Sequence, residues 1–158
     1  MYRLGGEHIG YMERVSNYVA REWLVKEKIV AYQVTGMDIQ ALEDWSKDIV
    51  TTLRNWQSNQ YLALYDLLSG VSIPLMVLTH YNILDPGLTP RGQEQVEQML
   101  AERPDLIIRI AIVMPATVSG RIASSRGRSS STLDQARVES RVMMSRRGAE
   151  DWLRGFVE

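Results

Sequence analysis

The 158-residue chain contains no cysteine. Disulfides, thiolate nucleophiles and cysteine-ligated zinc are therefore excluded, and the composition suits a cytoplasmic location. Histidine is almost as scarce. His8 and His80 lie far apart, and neither has a partner at helical ligand spacing, so no histidine metal site is expected. An excess of either charge is missing as well: 18 basic residues against 19 acidic ones leave a net charge of −1. So balanced a chain has no general attraction for nucleic acid or for an anionic membrane surface. Long hydrophobic runs are also lacking. Residues 71–84 are the most apolar stretch, but Ser72, Pro74, Thr79, His80 and Asn82 interrupt them. The stretch is too short and too polar to span a bilayer. No leading segment shows the basic, apolar, small-residue order of a signal peptide.

Nucleotide and hydrolase signatures are missing too. There is no Gly-x-x-x-x-Gly-Lys-Ser/Thr, no Gly-x-Gly-x-x-Gly after a strand, and no Gly-x-Ser-x-Gly. Leu88-Thr89-Pro90-Arg91-Gly92 looks like the Leu-Thr-x-x-Gly segment of histidine phosphatases. That chemistry also needs an Arg-His-Gly, and the nearest sequence here is Thr79-His80-Tyr81. Thr89-Pro90 reads better as a helix start, with threonine as the cap and proline where its missing amide costs nothing. The expectation is a non-enzymatic protein with no cofactor and no metal.

What is present is an ordinary globular composition, 45% apolar and 23% charged, at a length that suits one domain with a real core. Residues 1–20 hold Gly5, Gly6 and Gly10 and read as an arm. The alternative is a short helix over 8–20, lined by Ile9, Met12, Val15 and Val19. Residues 21–158 read as the domain proper.

Within it, Trp23 and Val25 suggest a short strand. Residues 29–34 form a second, whose near-continuous apolar run implies cover on both faces. Asp38 is a good N-cap, and Ile39, Leu42, Trp45, Ile49, Val50, Leu53 and Trp56 follow at helical spacing. They predict an amphipathic helix over 39–57. Further strands are expected at 61–67, 106–114 and 138–143. Further helices are expected from Ser72, from Pro90 to Pro104, and from about Ser145 with Ala149, Trp152, Leu153 and Phe156 on one face. Such alternation predicts an α/β single domain: a four- to five-stranded, mostly parallel mixed sheet covered by helices, its first two strands an antiparallel edge pair. Residues 124–132 are serine-rich and read as a loop. Residues 121–158 hold eight arginines against five acids, read as a solvated face in preference to an anion-binding one.

Asp66 falls at the carboxyl end of a strand, where open α/β sheets place their sites. Three stretches then carry a family resemblance: the strand pair 23–36 with its long helix, Tyr61-Leu62-Ala63-Leu64-Tyr65-Asp66-Leu67-Leu68-Ser69-Gly70, and residues 141–153 with Ala149, Trp152 and Leu153. Together they resemble the STAS superfamily (sulfate transporter and anti-sigma-factor antagonist), in its soluble antagonist-like branch, over roughly residues 20–157. The resemblance implies a bacterial regulatory domain that binds a protein partner such as an anti-sigma-type kinase; a homodimer is a further expectation. It implies a contact loop of Asp66, Ser69, Gly70 and Ser72, with Ser72 the first candidate for phosphorylation and Ser69 the second. A phosphate at a helix start would meet free amides and the positive end of the dipole. A plain N-cap is the other reading of Ser72. The alternative function is a small-molecule or lipid carrier or sensor on the same fold. Leu75, Met76, Leu78, Tyr81 and Met99 would line its apolar pocket, against ordinary core packing of the same residues.

Overall fold

The computed structural model describes residues 3–4, 7–8, 12–36, 38–67, 88–114 and 137–157. Two short strands, β1 (Arg3–Leu4) and β2 (Glu7–His8), pair with each other. The main sheet has six strands in simple order: β3 (Glu13–Arg14), β4 (Val19–Val25), β5 (Ile29–Val34), β6 (Gln60–Asp66), β7 (Ile107–Val113) and β8 (Val138–Met143). β3, β4 and β5 pair antiparallel, while β5 to β8 run parallel. The helices are α1 (Ile39–Arg54), α2 (Pro90–Glu102) and α3 (Arg146–Arg154). This is the expected α/β class with a mixed sheet, but with six strands where four to five were expected.

The extra strand is β3, and it also replaces the helix weighed over 8–20. Val15 and Ser16 amides donate to the Val19 carbonyl at 2.8 and 3.1 Å, so the chain reverses at Ser16-Asn17 and β3 returns along β4. β4 turns into β5 through Lys26-Glu27-Lys28, where Glu27 sits at a φ of 62°. Left-handed backbone is costly for a side-chain-bearing residue, so that turn carries local strain. Just after β5, Gly36 lies against the Tyr18 ring, where an added Cβ would come within 2.8 Å.

α1 is capped as expected, with the Asp38 carboxylate accepting from the Ala41 amide at 2.7 Å. Leu42, Trp45, Ile49 and Leu53 face the sheet and are buried. Ile39, at the first position of α1, lies off that stripe and is 63% exposed. Trp56 lies beyond the helix but stays buried, stacking on Tyr61 and donating from Nε1 to the Gln60 carbonyl at 2.6 Å. Thr89 caps α2 through the Gly92 amide, and Ser145 caps α3 through the Gly148 amide.

Strand alternation divides the interior into two layers. Val30, Tyr32, Tyr61, Tyr65, Ile108 and Ile110 face α1 and α2 in the larger layer. Ile29, Ala31, Leu62, Leu64, Ala111 and Val113 face α3, whose Ala149 and Leu153 complete a smaller one. Inner strands covered on both sides explain why β6 is buried at every position from Tyr61 to Asp66.

Candidate functional site

In the parallel register Asp66 stands beside Val113, and Val113 beside Met143, so the strand ends form one rim. Asp66 closes β6 on the α3 side of the sheet and is 5% exposed. A carboxylate so buried requires a cation or several donors. Arg146, the first residue of α3, supplies the cation: its Nη1 donates to Asp66 Oδ2 at 3.2 Å. Its Nη2 meets Glu22 of β4, and its Nε meets Glu150 one turn along the helix at 3.1 Å. One guanidinium thus joins two strands to α3. Burial alone would lower the Arg146 pKa, but the bonds and charges of Glu22 and Glu150 outweigh it, and the net shift is upward. Arg146 stays charged throughout.

The opposite face carries a second polar group. Arg21 of β4 binds Asp48 of α1 at 2.6 Å, and the Tyr32 hydroxyl donates to the same carboxylate at 2.8 Å. Burial, then the charge of Asp48, pushes Tyr32 well above its ordinary value, so it remains a neutral donor. Tyr61 and Tyr65 are likewise raised by burial. Their hydroxyls lie near enough to influence each other but form no hydrogen bond of good geometry, and Nε1 of Trp45 meets no partner among the described residues. No three His, Asp or Glu side chains gather at metal-binding distance among the described residues.

Between α1 and the start of α2 lies an open cleft of about 580 Å3, lined by Glu43, Ser46, Lys47, Thr89, Arg91 and Gln95. Ser46 and Thr89 hydroxyls meet in it at 3.1 Å. Its lining is mixed, with charged and polar side chains set among apolar atoms that make up the larger share of its surface. Met99, one member of the apolar pocket anticipated from the sequence, is buried in the core beneath α2 and does not line the cleft. Leu75, Met76, Leu78 and Tyr81 lie outside the described residues, as do Ser69, Gly70 and Ser72. Of the expected contact loop, Asp66 is the member the structure places.

Nothing in the sequence marks Arg146 as the partner of Asp66, or Glu22 as a second carboxylate on the same arginine. Arg146 is separated from Asp66 by 80 positions, and only sheet register brings the two together. Among the five described arginines of that end, Arg137 and Arg146 are part-buried, while Arg141, Arg147 and Arg154 are exposed. Arg137 is part-buried and spends its guanidinium on main-chain carbonyls: Leu106 at 3.1 Å, Leu100 at 2.9 Å, and Arg103. It ties the carboxyl end of α2 to the residue before β7, a role suited to a planar multi-donor group.

Comparison of the chain with protein-family models, with curated proteins and with solved structures finds no match. No helix among the described residues is long and apolar enough to cross a membrane.

Proposed function

We propose that this chain is a non-enzymatic, STAS-like regulatory domain that binds a protein partner at the carboxyl rim of its parallel strands. The supporting observation is the order of the sheet. An antiparallel pair leads into parallel strands, Asp66 ends the central one, and a strand–helix unit closes the domain. Tyr32, Tyr61 and Tyr65 are held neutral, and Arg146 is held charged by carboxylates. None of these groups is poised for proton transfer near neutral pH, where acid–base catalysis works best. Ile39 and Met144 project from the same rim at 63% and 65% exposure and offer apolar contact area. On this reading Ser72, or else Ser69, carries the regulatory phosphate, the partner is an anti-sigma-type kinase, and the setting is the bacterial cytoplasm.

The test is co-purification from a native lysate with wild type, Ser72→Ala and Ser72→Glu, each crosslinked and identified by mass spectrometry. A partner retained by the alanine form and lost by the glutamate form supports the reading. Recovery of no partner, or equal recovery by all three, overturns it.

The second reading, a small-molecule carrier or sensor, draws on the cleft between α1 and α2. Its mixed lining, with Glu43 and Lys47 beside apolar surface, suits a small ligand that carries a polar or charged group. Native mass spectrometry of the purified protein decides it: a bound small molecule displaced by Lys47→Glu supports it, and an unliganded mass overturns it.

A further inference from the structure

We infer that α3 is a latched element: it undocks as a unit from its face of the sheet before the remainder opens, and Arg146 is the latch. Three observations carry this. First, α3 has nine residues, and an isolated helix of that length is not stable in water. It holds its shape only while docked. Second, its apolar anchor is small. Ala149 and Leu153 are its two fully buried side chains, whereas α1 buries eight residues. Trp152 and Phe156 are half-buried, each under an arginine: Arg141 lies 4.8 Å from the Trp152 ring and Arg109 lies 4.0 Å from the Phe156 ring.

Third, its polar anchor is concentrated in one side chain. Arg146 alone joins the amino end of α3 to Glu22 and Asp66, whose side chains are 16% and 8% exposed. The helix itself meets the rest of the chain through the short link at Met144-Ser145, so release needs no strand to separate. The opened form uncovers the apolar strip of Leu62, Leu64, Ala111 and Val113. Local opening of this kind is expected where few apolar contacts hold an element. The device is independent of the partner proposed above.

Native-state hydrogen exchange resolved to single amides tests it on the full chain. The Gly155 amide, bonded to Asp151 within α3, is compared with amides of Tyr61–Tyr65 and Ile108–Ile112. The expected result is exchange at least about ten-fold faster in α3 than in those strands. Raising sodium chloride to about 1 M, where the screening length falls to about 3 Å, should quicken α3 several-fold further and leave the strands unchanged. Glu22→Gln, nearly isosteric, should do the same at low salt. Exchange of α3 at the rate of the strands overturns the inference. So does fast exchange of α3 that neither salt nor Glu22→Gln alters, because Arg146 would then hold nothing. The salt arm uses wild type and stands even where the variant does not fold.

Discussion

Removing one oxygen atom from two neighbouring tyrosines should shift stability in opposite directions. Tyr32 and Tyr65 lie on adjacent strands in register, both fully buried, with ring centroids 5.8 Å apart. Both pack on Trp45, at 5.9 and 5.0 Å. Their apolar environments are therefore nearly the same, and a phenylalanine fits either site with little change in packing. Their hydroxyls differ. That of Tyr32 donates to the Asp48 carboxylate at 2.8 Å and lies 3.4 Å from the Thr52 hydroxyl. A hydrogen bond to a charged group contributes about 1.5–3 kcal/mol, so Tyr32→Phe should cost roughly 2 kcal/mol. Asp48 keeps Arg21, which limits the loss. The Tyr65 hydroxyl has no partner of good geometry. Burying such a group costs roughly 1–3 kcal/mol, so Tyr65→Phe should be neutral or stabilising by about 1 kcal/mol. Urea unfolding followed by far-ultraviolet circular dichroism is the suitable assay, because Trp45 fluorescence would respond to either ring directly. The two midpoints should separate on opposite sides of wild type, or Tyr65→Phe should coincide with it, at constant m value. A loss above about 1 kcal/mol for Tyr65→Phe would refute the reasoning and show that hydroxyl bonded, to Tyr61 or to an internal water.

The same cluster governs alkaline stability. Burial holds Tyr32, Tyr61 and Tyr65 above the ordinary value of 10, so above pH 10 the unfolded chain releases protons that the folded chain keeps. Stability should be intact below that pH and fall above it; free phenolate absorbance from every tyrosine before unfolding would contradict this. Glu27→Gly should stabilise by about 0.5–1 kcal/mol, since glycine accepts the φ of 62° without the steric penalty, and a lowered urea midpoint would count against it. Arg137→Met should destabilise by about 2 kcal/mol by untying the end of α2 from the residue before β7, with Arg137→Lys recovering less than half because an ammonium cannot reach all three carbonyls. A thermal midpoint for Arg137→Lys equal to that of wild type would refute this and assign the loss to charge alone.

Elements with strong local codes were legible in the sequence. The Asp38 cap and the spacing of Leu42, Trp45, Ile49 and Leu53 specify α1, because capping and a 3.6-residue period act within a few turns. Thr89-Pro90 and Ser145 mark helix starts for the same reason, and residues 138–143 form the closing strand with the expected bounds. β3 was not legible. Two residues carry no period, and Glu13–Arg14 become a strand only because β4 presents an edge to pair with. The exposure of Ile39 was hidden similarly, since helical spacing shows a face but not how far along the helix that face is covered.

The candidate site divides along the same line. Asp66 could be placed at a strand end because the apolar run before it has a clear limit. What the carboxylate does there could not be read, since Arg146 reaches it from a distant part of the chain and is shared with Glu22 of another strand. By itself the sequence determined the class of fold, most strand and helix limits and the caps, all of which depend on neighbours a few residues apart. Only the tertiary structure decided the strand order, the two unequal layers and the pairing of each buried charge. Those follow from register between strands, and a shift of one residue would turn Asp66 from α3 toward α1 and leave Arg146 without it.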